Sequence, residues 1–171
     1  MKNRIRSFSR IILICTSLIF SYGQLFGQGK VNVSAGIGMP EAINLGFRYQ
    51  INQSQVGGSA GWWPGDPDAF LFNFSNVFSF SGDYYYHFAG TSKYSDLKPW
   101  YVRPGLNCLL IDFDPEIDTI VDIYLRIGRD IYLTDKGGFS LDGGVLFFPF
   151  DSGDGFRSVI PALGTRLFYR F

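Results

Sequence analysis

An all-β chain, an eight-stranded antiparallel up-and-down transmembrane β-barrel, is the fold this 171-residue sequence predicts. Three features predict it. From Val31 onward, apolar and polar residues alternate with period two in eight successive runs separated by turn-rich connectors. The polar parity carries Gly, Ser, Asn, Asp, Tyr and Arg rather than the Lys, Glu and Thr of a solvated strand face. Small residues mixed with Arg and Asp suit a cramped interior in which opposite charges pair. The apolar parity is bulkier and more aromatic than a small soluble barrel could pack inside, so it belongs against lipid. The lipocalin-like alternative, with its apolar face inside and water outside, does not fit that division.

The chain opens on Lys2, Arg4, Arg6 and Arg10, an apolar run from Ile11 to Phe20, and small or polar residues at Ser21, Gly23 and Gly27. That order predicts a secretory signal peptide over residues 1–27, cleaved after Gly23 or Gly27 to leave Gln24 or Gln28 first, with the barrel over 28–171. The apolar run is too short for a spanning helix, which takes about 20 residues. Cys15 follows Ile14 where a lipoprotein signal needs a small residue, so lipidation there is not predicted. Cys108 is then the one cysteine of the mature chain, which rules out an internal disulfide. Loss of four basic residues with the signal leaves eleven basic against fifteen acidic, a net of −4. A mildly acidic chain is a poor nucleic-acid partner.

The runs follow in order. Val31 to Gly38 is the first, and the second places Ile43, Leu45, Phe47, Tyr49 and Ile51 opposite Asn44, Gly46, Arg48, Gln50 and Asn52. The third covers Val56 to Trp63. The fourth runs from Phe70 to Phe88, with Asn73, Ser75, Ser79, Ser81, Asp83 and the single histidine, His87, on its polar parity. In the fifth, Trp100 to Ile111, Pro104 has no N–H for a ladder and predicts a bulge near Pro104 and Gly105. The sixth spans Val121 to Leu133, the seventh Phe139 to Phe147, and the eighth Leu163 to Phe171. Connectors hold Pro40 and Glu41, Asn52 to Ser54, Pro64 to Asp68, Gly90 to Lys98, Asp112 to Asp118, Asp135 to Gly138, and Asp151 to Ser158. With both chain ends on the periplasmic side, Tyr49, Tyr84, Tyr86, Trp100 and Tyr169 fall near one membrane interface. Trp62, Phe70, Phe72 and Phe147 fall near the other, giving two aromatic girdles.

The last run, from Gly164 through Leu167 and Tyr169 to Phe171, resembles the C-terminal signature of bacterial outer-membrane proteins: a glycine, alternating apolar positions and a terminal aromatic. The resemblance implies recognition by the barrel-assembly machinery. In strand count, size and patterning the chain resembles the OmpA-barrel and OmpX-like group, a likeness of fold that licenses no activity. Its outer connectors are shorter than that group's long loops, which argues against a loop-mediated adhesin.

Arg48, Arg103, Arg126 and Arg166 share the inward parity with Asp83, Asp122, Asp130 and Asp142. A paired network that fills and closes the lumen is the expected role. The sharper alternative is a porin-like pore, although eight strands leave room for little beyond side chains. Asp112, Asp114, Glu116 and Asp118 alternate like the start of a calcium loop, but the sixth-position glycine and the distal bidentate Glu are missing. A solvated acidic loop is the simpler reading. With Asp66, Asp68, Asp151 and Asp154 on the same side, a weak divalent-ion layer bridging to lipopolysaccharide is the gentler one. Trp63, Leu109, Ile111, Ile120, Leu146, Phe148 and Ile160 bring apolar side chains to the inward parity at the outer end. They form either a packed plug or an apolar cup for a small hydrophobic or lipid ligand. His87 has neither a serine motif nor a second histidine near it, so an enzyme acting on outer-membrane lipid, by likeness to acylases and deacylases of similar size, is the weakest of three readings. The first is a non-catalytic structural or envelope-interaction protein without a cofactor, in contact with outer-membrane lipid and lipopolysaccharide. Deleting Tyr169 to Phe171 should prevent assembly and deplete folded protein; a normal heat-modifiable barrel from that truncation would show the terminal signature to be coincidental.

Overall fold

The computed structural model describes residues 30–64, 76–112, 117–149 and 159–171. They form strands β1 (Val31–Gly38), β2 (Ala42–Ile51), β3 (Ser54–Pro64), β4 (Asn76–Ala89), β5 (Trp100–Asp112), β6 (Ile117–Tyr132), β7 (Gly137–Phe147) and β8 (Val159–Arg170). Every strand pairs antiparallel with its neighbour in sequence, and β1 pairs with β8, so the sheet closes and leaves no edge. Ala35 lies opposite Leu45 on one side and Leu167 on the other, which fixes the closing register. The signal-peptide segment, Phe70 and Phe72, Asp66, Asp68, Asp114, Glu116, Asp151 and Asp154 lie outside the described residues.

Alternation along the strands sorts side chains between two environments. Leu45 and Leu167 on the outer surface are each 68% exposed, whereas Arg103 and Arg126 inside are 0% and 1% exposed. This inverts a soluble protein, in which long charged side chains stay in water. Leu106, Ile127, Leu141 and Leu163 share the outer face with Phe47, Phe78 and Phe80. Cys108 is unpaired and half-buried on that parity, between Phe80 and Val121.

The bulge expected at Pro104 is absent. Pro104 lies opposite Leu125 in an unbroken β5–β6 register, and Asp83 opposite Gly105 keeps the register of Tyr86 opposite Val102 on the other side. The irregularity falls between His87 and Ala89, at the end of the strand pair. A proline lacks only one donor, so the ladder tolerates it where its ring points outward, and inward parity is retained through Asn107 and Leu109. Strand ends also extend beyond the alternating runs: β3 begins at Ser54, β6 at Ile117 and β8 at Val159.

Two ends of the barrel differ. At the terminal mouth, where β1 begins and β8 stops, the 90–99 connector folds inward with Leu97 buried. Gln53 Nε2 donates to Asp96 O at 2.8 Å, Lys98 N donates to Gln53 Oε1 at 3.1 Å, and Arg170 Nη2 donates to Ser95 Oγ at 3.0 Å. At the far mouth the short β1–β2 turn dips into the lumen. Ala42 there has φ 51°, in the left-handed region. Gly61 on β3 makes the dip possible, since a Cβ at that position would collide with the carbonyl oxygen of Glu41 and with Ser79 Oγ.

Candidate functional site: the ionic lumen

Among the described residues, the ion pairs of the lumen fall in two clusters. The larger centres on Glu41, which the β1–β2 turn carries inward until its side chain is fully buried. Arg103 Nη2 and Arg166 Nη2 donate to Glu41 Oε1 at 3.0 and 2.9 Å, and Arg126 Nη2 donates to Oε2 at 2.8 Å. One carboxylate therefore joins three strands, β5, β6 and β8, to the turn between β1 and β2. Asp142 on β7 adds a second tie, accepting from Arg126 Nη1 at 3.0 Å and Arg103 Nη1 at 3.4 Å. Asp83 on β4 accepts from Arg103 Nε at 2.7 Å and from the Tyr124 hydroxyl. Arg126 Nη2 also donates to Met39 O at 2.7 Å, which holds the turn by its backbone.

Aromatic rings complete the cluster. The Arg126 and Arg103 guanidiniums lie 4.7 and 5.0 Å from the centroid of the buried Tyr124 ring. Tyr101 and Tyr85 donate no bulk to the outside; they face inward, where Tyr101 OH donates to Asp142 Oδ2 at 3.2 Å and Arg166 Nη1 donates to Tyr85 OH at 3.0 Å. Gly164 gives the network its clearance. A Cβ there would stand 2.9 Å from Asp142 Oδ1 and 3.3 Å from Arg126 Nη1.

The smaller cluster lies nearer the terminal mouth. Arg48 Nη1 pairs with Asp130 Oδ1 at 3.3 Å, Nη2 donates to Ser140 Oγ at 3.1 Å, and the guanidinium stacks 4.4 Å from the Tyr85 centroid. Beyond it, His87 is buried, with Nδ1 2.6 Å from Lys98 O and Nε2 3.1 Å from Gln55 Oε1. Both ring nitrogens are engaged with structural partners, and among the described residues no hydroxyl or thiol nucleophile is hydrogen-bonded to either.

Of the eight residues predicted to form the charge network, seven meet in ion pairs. Asp122 is the departure. It faces inward and is buried, but its one hydrogen bond comes from Asn107 Nδ2 at 2.9 Å, and it has no ion pair among the described residues. Its neighbourhood toward the far mouth is apolar, and every guanidinium of the large cluster is committed to other carboxylates. Glu41 was legible only as a polar connector residue. Its one available signal was a short acidic turn next to four inward arginines.

The apolar set divides. Leu146 is buried with Tyr124 and Ala162, and Phe148 and Ile160 pack against this group. Leu109 is buried opposite Ile120, which is 36% exposed, while Ile111 lies opposite Val77 and Trp63 is 43% exposed. Asp112 and Asp118 sit at the facing ends of β5 and β6, flanking the undescribed Asp114 and Glu116. Among the terminal-signature residues, Leu167, Tyr169 and Phe171 point outward and Gly164 inward. Replacing Arg126 with Leu should cost about 3–5 kcal/mol, because Glu41 and Asp142 would each lose a buried partner. Urea unfolding of the refolded barrel in micelles checks this, and an unchanged midpoint would mean that Arg126 is solvated.

No family model matches the chain, and no curated protein matches it in sequence. In three dimensions it is similar to the crystal structure of Neisserial surface protein A (NspA), with TM-score 0.52 and 12% sequence identity, over 82% of this chain and 94% of that one. At that identity the likeness is one of fold: this chain adopts the closed eight-stranded antiparallel barrel that NspA shares.

Proposed function

We propose that the protein is a non-catalytic integral outer-membrane barrel with a sealed lumen, in a structural or envelope-interaction role. The observation that carries this reading is the inversion of the fold: an apolar outer surface around a fully buried, ion-paired interior. Such a wall is insoluble in water and well matched to hydrocarbon, and closure satisfies every backbone group within the sheet. The aromatic residues support the same placement. Tyr49, Tyr84, Tyr86, Trp100 and Tyr169 stand near the terminal mouth, and Trp62 and Phe147 near the far mouth. Tyr and Trp favour the headgroup region, where a ring meets lipid and a polar tip meets water. Export by the N-terminal signal, assembly through the terminal signature, and contact with lipopolysaccharide at the far mouth belong to this proposal. Resemblance to Neisserial surface protein A extends it to a surface-exposed role.

The ion-paired core favours a plug over a pore, because Glu41 reaches from the β1–β2 turn to arginines on β5, β6 and β8 and fills the space between them. At the far mouth, the packing of Phe148 and Ile160 on Leu146 favours a filled apolar plug over an open cup. In cells, the protein should fractionate with outer membranes and migrate faster unboiled than boiled. In planar bilayers it should give no large steady conductance. A soluble periplasmic product would sink the membrane reading, and stable open channels would sink the sealed lumen.

A further inference from the structure

Among the described residues, charge balance inside the barrel leaves one carboxylate over. The buried acids are Glu41, Asp83, Asp122, Asp130 and Asp142, and the buried guanidiniums are those of Arg48, Arg103, Arg126 and Arg166. Asp130 is matched by Arg48, while Glu41, Asp83 and Asp142 share the other three arginines. Arg170 does not compensate Asp122: it sits half-buried at the opposite mouth, bonded to Asn32, Ser95 and Tyr132.

Asp122 is 0% exposed, and its Oδ1 has no hydrogen-bond partner. Asn107 lies directly opposite it on β5 and is 1% exposed. With Nδ2 given to Asp122 Oδ2, the Asn107 amide presents its own Oδ1, which is also unpartnered. Two buried acceptor oxygens on facing residues thus have no donor among the described residues. Ser81, next in the same cross-strand row, bonds Ser59 at 2.7 Å and donates to Asp83 at 3.2 Å, leaving its oxygen able to accept from a further group.

We propose that Asp122 and Asn107 hold a single monovalent metal cation, such as sodium, in the far half of the lumen. An unpaired carboxylate in a low-dielectric interior is strongly disfavoured, and buried acceptors left without a donor are costly. Water would fill the acceptors but leave the charge. A cation meets both needs, and the all-oxygen ligand set selects a hard ion. With a single carboxylate, the site has the charge to neutralise a monovalent ion and too few carboxylates for a dedicated calcium site.

The test uses the whole protein refolded in detergent at pH 8, with thermal unfolding measured at equal ionic strength in sodium chloride, potassium chloride or N-methylglucamine chloride. A ligand that binds only the folded state raises the midpoint with its concentration. The wild type should unfold several degrees higher in a metal chloride than in the organic salt, and Asp122→Asn should lose that dependence. Asn107→Ala, which keeps the charge but removes a ligand, should weaken it, and this variant serves if Asp122→Asn does not fold. Equal wild-type midpoints in the three salts would overturn the proposal. So would a protonated-acid carbonyl band in the infrared spectrum that disappears in Asp122→Asn, since a proton would then supply the neutralisation.

Discussion

The larger ionic cluster inside this barrel depends on one carboxylate. Four arginines project into a space that water fills poorly, and a buried guanidinium is tolerable only when it is paired. Glu41 meets three of them at once, from a turn and not from a strand. The geometry of the far mouth follows. The turn must dip, so Ala42 takes a left-handed backbone, and β3 must yield space, so Gly61 has no side chain to offer. Arg126 then holds the turn twice, through Glu41 and through Met39 O. The ionic centre thereby links β4, β5, β6, β7 and β8 with the β1–β2 connection across the lumen, in addition to the hydrogen bonds that run around the wall.

The same centre explains how a barrel with a greasy exterior specifies its own interior. Hydrophobic burial cannot do so here, because the large apolar side chains lie outside and the core cluster of Tyr124, Leu146 and Ala162 is small. Specificity comes from ion pairs and from shape: glycine opposite arginine, as Gly57 is opposite Arg48, and tyrosine stacked on guanidinium. A slip of one residue in β2, β5, β6 or β8 would turn Arg48, Arg103, Arg126 or Arg166 out of the lumen onto the apolar outer face, so charge enforces register there more strictly than apolar contact would. The terminal mouth is closed by other means, with Leu97 and a set of neutral hydrogen bonds from Gln53 and His87.

Much of this was legible in the sequence, for a simple reason. A period of two assigns each side chain to one of two faces, so the eight strands, the outward-facing leucines and phenylalanines and the inward parity of Arg48, Arg103, Arg126 and Arg166 follow from counting. What counting misses lies where the chain leaves the ladder. Glu41 sits in a turn, and its distance in sequence to Arg166 says nothing about their contact across the closure. Asp122 has the right parity for the network but the wrong height, because the stagger of the strands carries it past the arginines. Pro104 looked like a break and is not one, since a single missing donor on an outward-facing residue does not shift the register. Ile117 to Ile120 and Val159 to Ala162 extend β6 and β8 although their residues do not alternate cleanly, because pairing partners on β5 and β7 impose the strand.

Glu41 is the shared partner of Arg103, Arg126 and Arg166, and a double-mutant cycle on Glu41→Gln and Arg166→Gln measures that tie. Urea unfolding of the refolded barrel in micelles would supply the four stabilities. A shared buried tie predicts that each single substitution costs on the order of 3 kcal/mol. It also predicts that the double variant loses less than the two together by more than about 1 kcal/mol. A Glu41→Gln barrel that unfolds at the wild-type urea concentration, or two losses that add without interaction, would contradict the account.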